Sequence, residues 1–242
     1  MTSLSILGFG AFGCFAHKHL APYFDITVYD PHADLSDVNG VTNLKDALQS
    51  EIIILAVPIP KLEQLIIDIA PHLTAGQLVI DIASVKTLPV QWMEKHLPAD
   101  VDIIATHPVF GPESGKNGIE GQNITIMNVR GDQFDKVSVF LSNELKLNVI
   151  HSTPAEHDQQ MAYVQGLTHL ISKILKRMDI PELQQTTRTY DHLLSMVDMI
   201  KNDSPELFHS IQTDNPYVHD VTQSFFDEAK ELETSLQDQK DA

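Results

Sequence analysis

Near its start the chain reads Ser3-Leu4-Ser5-Ile6-Leu7, then Gly8-Phe9-Gly10-Ala11-Phe12-Gly13, before a helical pattern begins. A strand that passes through three glycines at G-x-G-x-x-G spacing into a helix is the turn that opens a dinucleotide-binding βαβ unit. Gly8 permits the tight turn, Gly10 lets a pyrophosphate reach the backbone, and Gly13 lets the helix pack close to the strand. The loop formed by Gly8, Phe9, Gly10, Ala11, Phe12 and Gly13 thus offers phosphate the unsatisfied N–H groups and the positive end of a helix. Asp30 closes the next strand about twenty residues on, where a carboxylate accepts the ribose hydroxyls of NAD and repels the additional phosphate of NADP. As the residue before Pro31 it is also an ordinary turn former. NAD is the expected cofactor, with Val57 and Pro58, at the end of another apolar run, lining its adenosine side.

The first half of the chain alternates β-branched runs (3–7, 25–29, 52–57, 78–82 and 102–106) with amphipathic stretches. Continuous apolar runs such as 52–57 belong to parallel strands covered on both faces, which leave no solvent side to alternate toward. Two further strands, 124–128 and 147–150, flank a helical stretch at 134–145 and extend the same sheet. After Pro154 the strand signal stops, and helical periodicity continues with breaks at Pro181, Pro205 and Pro216. The expected architecture is α/β: a doubly wound parallel-sheet Rossmann domain at 1–151, then a smaller all-helical domain at 152–242. So small a helical domain buries a low fraction of its surface. Val221, Phe225, Ala229, Leu232 and Leu236 follow one another at helical spacing, and homodimerisation through these helices is expected.

Charge and cysteine content narrow the partners. Sixteen Lys and Arg against thirty-three Asp and Glu leave the 242-residue chain at a formal −17. That charge repels nucleic acid and anionic membrane surfaces, so neither is an expected partner. The single cysteine, Cys14, excludes an internal disulfide framework, fits a reducing, cytoplasmic setting, and is expected to pack as a small apolar residue beneath a helix. The longest apolar runs are too short to span a bilayer. No metal is called for.

Two more strand ends at the nucleotide edge carry polar groups: Ser84-Val85-Lys86 and His107. Oxidation of an alcohol needs a base on the hydroxyl as hydride leaves carbon, a task suited to a neutral imidazole, and His107 stands where such a base belongs.

These residues carry a resemblance. The glycine loop, Ala-Ser-Val-Lys (83–86), Thr-His-Pro-Val-Phe-Gly-Pro-Glu-Ser-Gly (106–115), Glu-His-Asp (156–158) and Gln-Gly-Leu-Thr-His (165–169) together resemble the prephenate and arogenate dehydrogenases, with the arogenate-type branch most similar. The resemblance implies NAD-dependent oxidation and decarboxylation of a cyclohexadienol acid, a step in tyrosine biosynthesis. His107 would take the hydroxyl proton at ring C4. Ser84 would hydrogen-bond that hydroxyl or His107, and His169 would contact the substrate from the helical domain. It further implies a loop from Gly111 to Gly115 whose backbone donors and Ser114 face the substrate. Lys86 is either a partner for the substrate's carboxylate or the first turn of a helix. His157 and Asp158 match family positions, though either could cap a helix. One departure stands out: the arginine that prephenate-type members present to the side-chain carboxylate is missing from 196–205, where Met199 lies near its place, and Arg188 is three helical turns earlier. Two other readings stay open at this level, a β-hydroxyacid-type dehydrogenase, with Lys173 on its helix, and a non-catalytic NAD-binding regulator.

Overall fold

The computed structural model describes residues 1–41, 43–200 and 203–239. The chain divides into two compact units, Met1–His157 and Asp158–Ala242. The division falls inside a helix, six residues beyond the boundary read from the sequence.

The first unit is a seven-stranded sheet in the order β2-β1-β3-β4-β5-β6-β7. Its elements run β1 (Ser3–Leu7), α1 (Ala11–Leu20), β2 (Asp25–Tyr29), α2 (Leu44–Ala47), β3 (Ile52–Leu55), α3 (Ile59–Ile69), β4 (Leu78–Asp81), α4 (Thr87–His96), β5 (Asp102–Pro108), β6 (Asn123–Arg130), α5 (Phe134–Asn143) and β7 (Asn148–His151). The apolar runs have the expected cause. Leu7, Ile53, Leu55, Val79 and Ile103 pack into the core beneath α3 and α4, while their neighbours Leu4, Ile6, Ile54, Ile80 and Ile104 pack into the core on the opposite face. Each fully buried Leu or Ile contributes about 1.5–3 kcal/mol, so both faces are built mainly from apolar side chains.

The sheet is not parallel throughout. β1 to β5 are parallel, β6 runs antiparallel to β5, and β7 is parallel to β6. The reason lies in the connection: a parallel return needs a crossover of a dozen or more residues, usually a helix. Between β5 and β6 the chain makes only turns. It therefore comes back in the opposite direction, and α5 then supplies the crossover to β7. β5 also extends further than its apolar run, through His107 to Pro108, because β6 pairs with it as far as Pro108.

The second unit holds most of α6 (Pro154–Met161), a π-helical stretch (Ala162–Leu167), α7 (Thr168–Met178), α8 (Arg188–Ile200), α9 (Pro205–Thr213) and α10 (Val218–Asp238). α6 begins with a reciprocal cap: the Glu156 backbone N–H donates to Thr153 Oγ1 (3.3 Å), and the Thr153 backbone N–H donates to Glu156 Oε2 (3.0 Å). α7 ends where Asp179 turns left-handed, and α9 begins at Ser204, whose Oγ accepts the Leu207 N–H, with Pro205 in its first turn. In the π-helical stretch Gly166 lets α10 approach, since a Cβ there would lie 2.8 Å from Val218 Cγ2. Gln212 Nε2 donates to the Gly166 carbonyl at 2.8 Å. The end of the expected helical domain, 240–242, lies outside the described residues, as do 201–202 within the stretch compared for the missing arginine. Among the described residues no helix is long and apolar enough to cross a membrane.

Candidate active site

One row of backbone partners runs across the sheet: Tyr29 pairs with Leu7, Leu7 with Leu55, Leu55 with Asp81, and Asp81 with Ala105. The residues just beyond this row line the carboxyl edge of the parallel strands, where open α/β sheets bind ligands. They are Asp30, Gly8, Ala56 to Pro58, Ser84 and His107. With strands about 4.8 Å apart, the glycine loop and His107 lie three strand spacings, roughly 14 Å, from one another along that edge.

The glycines meet different demands. Gly8 has φ +105, and a Cβ on it would fall 2.5 Å from the Ala56 carbonyl oxygen. A Cβ on Gly13 would lie 2.2 Å from the Gly8 oxygen. At Gly10 a Cβ would meet nothing within 4 Å, so that position is open on the ligand side. α1 begins at Gly10 with no side-chain cap and no acidic residue in its first turn, which leaves its N–H groups and dipole to an anion. Phe9 and Phe12 contribute backbone here. Their rings turn to the helix, Phe9 against His17 and Phe12 against Phe15, and Ala11 is exposed at the first helical position.

Asp30 meets both descriptions drawn from the sequence. Oδ2 accepts the Phe9 N–H at 2.7 Å, tying the carboxylate to the glycine loop, and Oδ1 accepts the His32 N–H at 2.8 Å, closing the turn around Pro31. Each oxygen keeps a lone pair for a ribose hydroxyl. Val57 packs against the glycine turn and Pro58 precedes α3. The uncapped helix, the open Gly10 and the anchored carboxylate fit a dinucleotide. Cys14 departs from expectation. It is exposed rather than packed away, its Sγ 3.3 Å from the Phe9 carbonyl, because it sits on the outer side of α1.

His107 is 4% exposed and held in β5 opposite Thr125 of β6. Its Nδ1 lies 2.8 Å from Nε2 of His157, the two rings edge to face at 75°. Burial, then the neighbouring His157 and then the Lys86 ammonium, push the His107 imidazole well below its ordinary value, so the ring is neutral near pH 7. Ser84, 9% exposed, has a buried hydroxyl with no hydrogen-bond partner among the described residues. A buried donor without a partner is costly and is expected where a ligand supplies one.

Lys86 turns inward. It is fully buried, and its Nζ donates to Asp81 Oδ2 and to the Thr106 carbonyl (2.6 Å). It braces β4 against the residue before His107, and the Thr106 hydroxyl donates to the Asp81 carbonyl at 2.8 Å from the other side. Burial raises the Asp81 carboxyl while Lys86 pulls it back. Lys86 stands at the N-cap of α4, in keeping with the reading of it as a helix start, and its ammonium is engaged inside the first unit.

The loop after β5 is closed by bonds of its own. Ser114 Oγ accepts the Gly111 N–H at 3.0 Å, and Gly115 N–H donates to the Gly111 carbonyl at 2.8 Å. Gly111 and Ser114 satisfy each other in closing a tight turn, and Gly115 gives the Phe15 ring room. The Gly111 N–H and the Ser114 hydroxyl are engaged within the turn, and Ser114 is exposed.

His169 lies in the second unit, 9% exposed, with Nδ1 3.5 Å from Asp203 Oδ2; burial lowers the imidazole and raises the carboxyl. Met199 is 64% exposed, and Lys173 Nζ stands 5.2 Å over the Phe208 ring. His157 is the residue least visible in the sequence. It pairs with a histidine fifty positions away, and its only signal was its place in the Glu-His-Asp segment.

A cavity of about 520 Å³ in the first unit lies elsewhere. It is an apolar groove between α1 and α5, lined by residues such as Leu4, Phe15, Ile54, Ile80 and Phe140, and lacks the converging polar groups of a reaction site.

Residues 32–125 match the prephenate dehydrogenase nucleotide-binding domain, and residues 153–242 the prephenate dehydrogenase dimerization domain. A probable arogenate/prephenate dehydrogenase of Methanocaldococcus jannaschii is 34% identical over 199 residues, 78% of this chain and 44% of the relative. Arogenate dehydrogenase 1, chloroplastic, of Arabidopsis thaliana is 29% identical over 256 residues, 96% of this chain and 39% of the relative. The chain thus spans less than half the length of these two curated relatives. Among solved structures, prephenate dehydrogenase from A. aeolicus, in complex with hydroxyphenyl propionate and NAD+, shares the fold with a TM-score of 0.76 at 18% identity, over 100% of this chain and 93% of the other.

Proposed function

The chain belongs to the prephenate dehydrogenase family, and from that premise we propose that it catalyses the NAD-dependent oxidative decarboxylation of arogenate or prephenate on the route to tyrosine. The observation that carries this reading is a neutral, buried His107 on the same sheet edge as an uncapped glycine loop. NAD, when bound, accepts the hydride from ring C4. Asp30 receives the ribose hydroxyls and disfavours a 2′-phosphate. His107 accepts the C4 hydroxyl proton as the hydride leaves, and the Ser84 hydroxyl bonds the reacting oxygen and fixes its approach. The ring ketone so formed sits at the far end of a conjugated system from the ring carboxylate. Loss of CO2 delivers its electron pair to that oxygen and aromatises the ring with little demand on the protein.

His169 is assigned as a substrate contact on the family reading, with Asp203 holding its ring. The absence of an arginine near Met199 favours the aminated substrate, arogenate, whose ammonium lessens the need for a cation. The second unit is assigned to homodimerisation, in keeping with the domain it matches, and unbridged Cys14 accords with a reducing, cytoplasmic setting.

Initial rates of NADH formation with L-arogenate and with prephenate, measured in parallel, test the proposal. NAD-dependent turnover of either supports the reaction, a clear preference for arogenate supports the substrate reading, and failure with both removes the proposal.

A further inference from the structure

A base that must accept a proton on one imidazole nitrogen needs its other nitrogen protonated beforehand, and that is decided by whatever bonds the other nitrogen. For His107 the other nitrogen is Nδ1, and the group beside it is Nε2 of His157 at 2.8 Å. Between two neutral imidazoles one proton spans that distance. If His157 owns it, the second proton of His107 sits on Nε2, which is then no base. If His107 owns it, Nε2 is the basic nitrogen.

We infer that His157 is a positioning residue: it accepts the Nδ1–H of His107 and so holds His107 in the form whose Nε2 takes the substrate's hydroxyl proton. This rests on His107 acting as proposed above. No proton is gained or lost in the arrangement. The hydroxyl proton moves to Nε2, Nδ1 keeps its own, and the imidazolium is steadied by the bond to His157.

Three features keep His157 neutral and fixed beside Nδ1, the two conditions an acceptor there must meet. It is 2% exposed, which disfavours charge. Its backbone N–H donates to the Thr153 carbonyl at 2.9 Å, in the first turn of α6, and the positive end of a helix opposes an imidazolium there. The reciprocal Thr153–Glu156 cap fixes that turn, and with it the position of the ring. The charged groups that act on the pair are Lys86 and Asp81, bonded to each other beneath β5; Glu156 and Asp158 flank His157 in sequence, and Glu156 is engaged with Thr153.

Two measurements test the inference. In 15N-histidine-labelled protein with NAD, two-bond 1H–15N spectra report which nitrogen of each ring carries the proton, and loss of a signal in His107→Asn assigns His107. The expected result is His107 protonated on Nδ1; protonation on Nε2 overturns the inference. In kinetics, His157→Phe removes the acceptor and is expected to lower kcat about 10- to 100-fold with KM and NAD affinity retained, whereas His157→Gln, whose amide oxygen can accept, recovers most of it. Equal losses in both variants, or none in either, overturn it. Should His157→Phe not fold, the wild-type spectrum and His157→Gln still decide. Should the wild type oxidise neither substrate, the proposed reaction fails while the spectrum continues to report the tautomer, so the two failures are told apart.

Discussion

His107 combines two properties that oppose each other in most proteins, deep burial and readiness to take a proton. Burial and two neighbours push its imidazole well below the ordinary 6.5. A base must be neutral to work, so the active form persists as pH falls through 6.5. The acid limb of kcat/KM is expected below that value, and an acid limb above it would contradict the depressed imidazole. The same depression bears on folding. The unfolded chain takes up this proton near 6.5 and the folded chain does not, so the contribution is fully present above 6.5 and is lost as pH falls below it. His107→Asn should lower kcat about 10²–10⁴-fold while NAD affinity, measured by calorimetry, holds. Lys86 makes the contrasting case. Replacing it with Met strands the Asp81 carboxylate and is expected to cost about 3–5 kcal/mol in urea unfolding. A loss below about 1 kcal/mol would show that Asp81 simply takes a proton instead. Position on the sheet edge was legible for His107. That Lys86 turns inward was not, since a lysine after a strand reads the same whether its ammonium meets solvent or a buried carboxylate.

At the scale of elements, the glycine loop yields a paired prediction. Gly10→Ala adds a methyl group to open space and should leave the melting temperature nearly unchanged while weakening NAD binding. Gly13→Ala drives a Cβ toward the Gly8 oxygen and should lower the melting temperature itself. Thermal melts with and without NAD separate the two, and equal loss of stability in both variants would mean that Gly10 is structural. The central strands β3 and β4 were legible because their apolar runs are buried almost throughout, whereas β2 and β7, at the sheet's edges, alternate or stay exposed. The reversal at β6 was not, since strand direction is set by the length and path of the connection rather than by residues within the strand. Residues 106–115 were readable as a segment, but not the inward bond between Gly111 and Ser114, which turns on a single rotamer.

Across the whole molecule, the second unit buries few large apolar side chains of its own, among them Met161, Ile211 and Val218, while Leu232 and Leu236 stay 60% and 53% exposed on α10. Light scattering is expected to give twice the chain mass, and Leu232→Glu with Leu236→Glu to shift it toward the monomer; a monomeric wild type at micromolar concentration removes the dimer. The helical character of this half was plain from its spacing. One thing the spacing could not register is the π-helical stretch, since an apolar stripe tolerates one surplus residue without losing its period. That surplus residue is taken up in the wide turn of Ala162–Leu167, inside a run of helix without a break. Each residue of the wide turn advances the spiral by less than an α-helical one, so excising one residue there would relax the segment to an ordinary helix and leave the side chains of Pro154–Met161 facing much as before against those of Thr168–Met178. The stretch is a splice that hides an insertion: the chain gained a residue, and the faces on either side of it kept their aim.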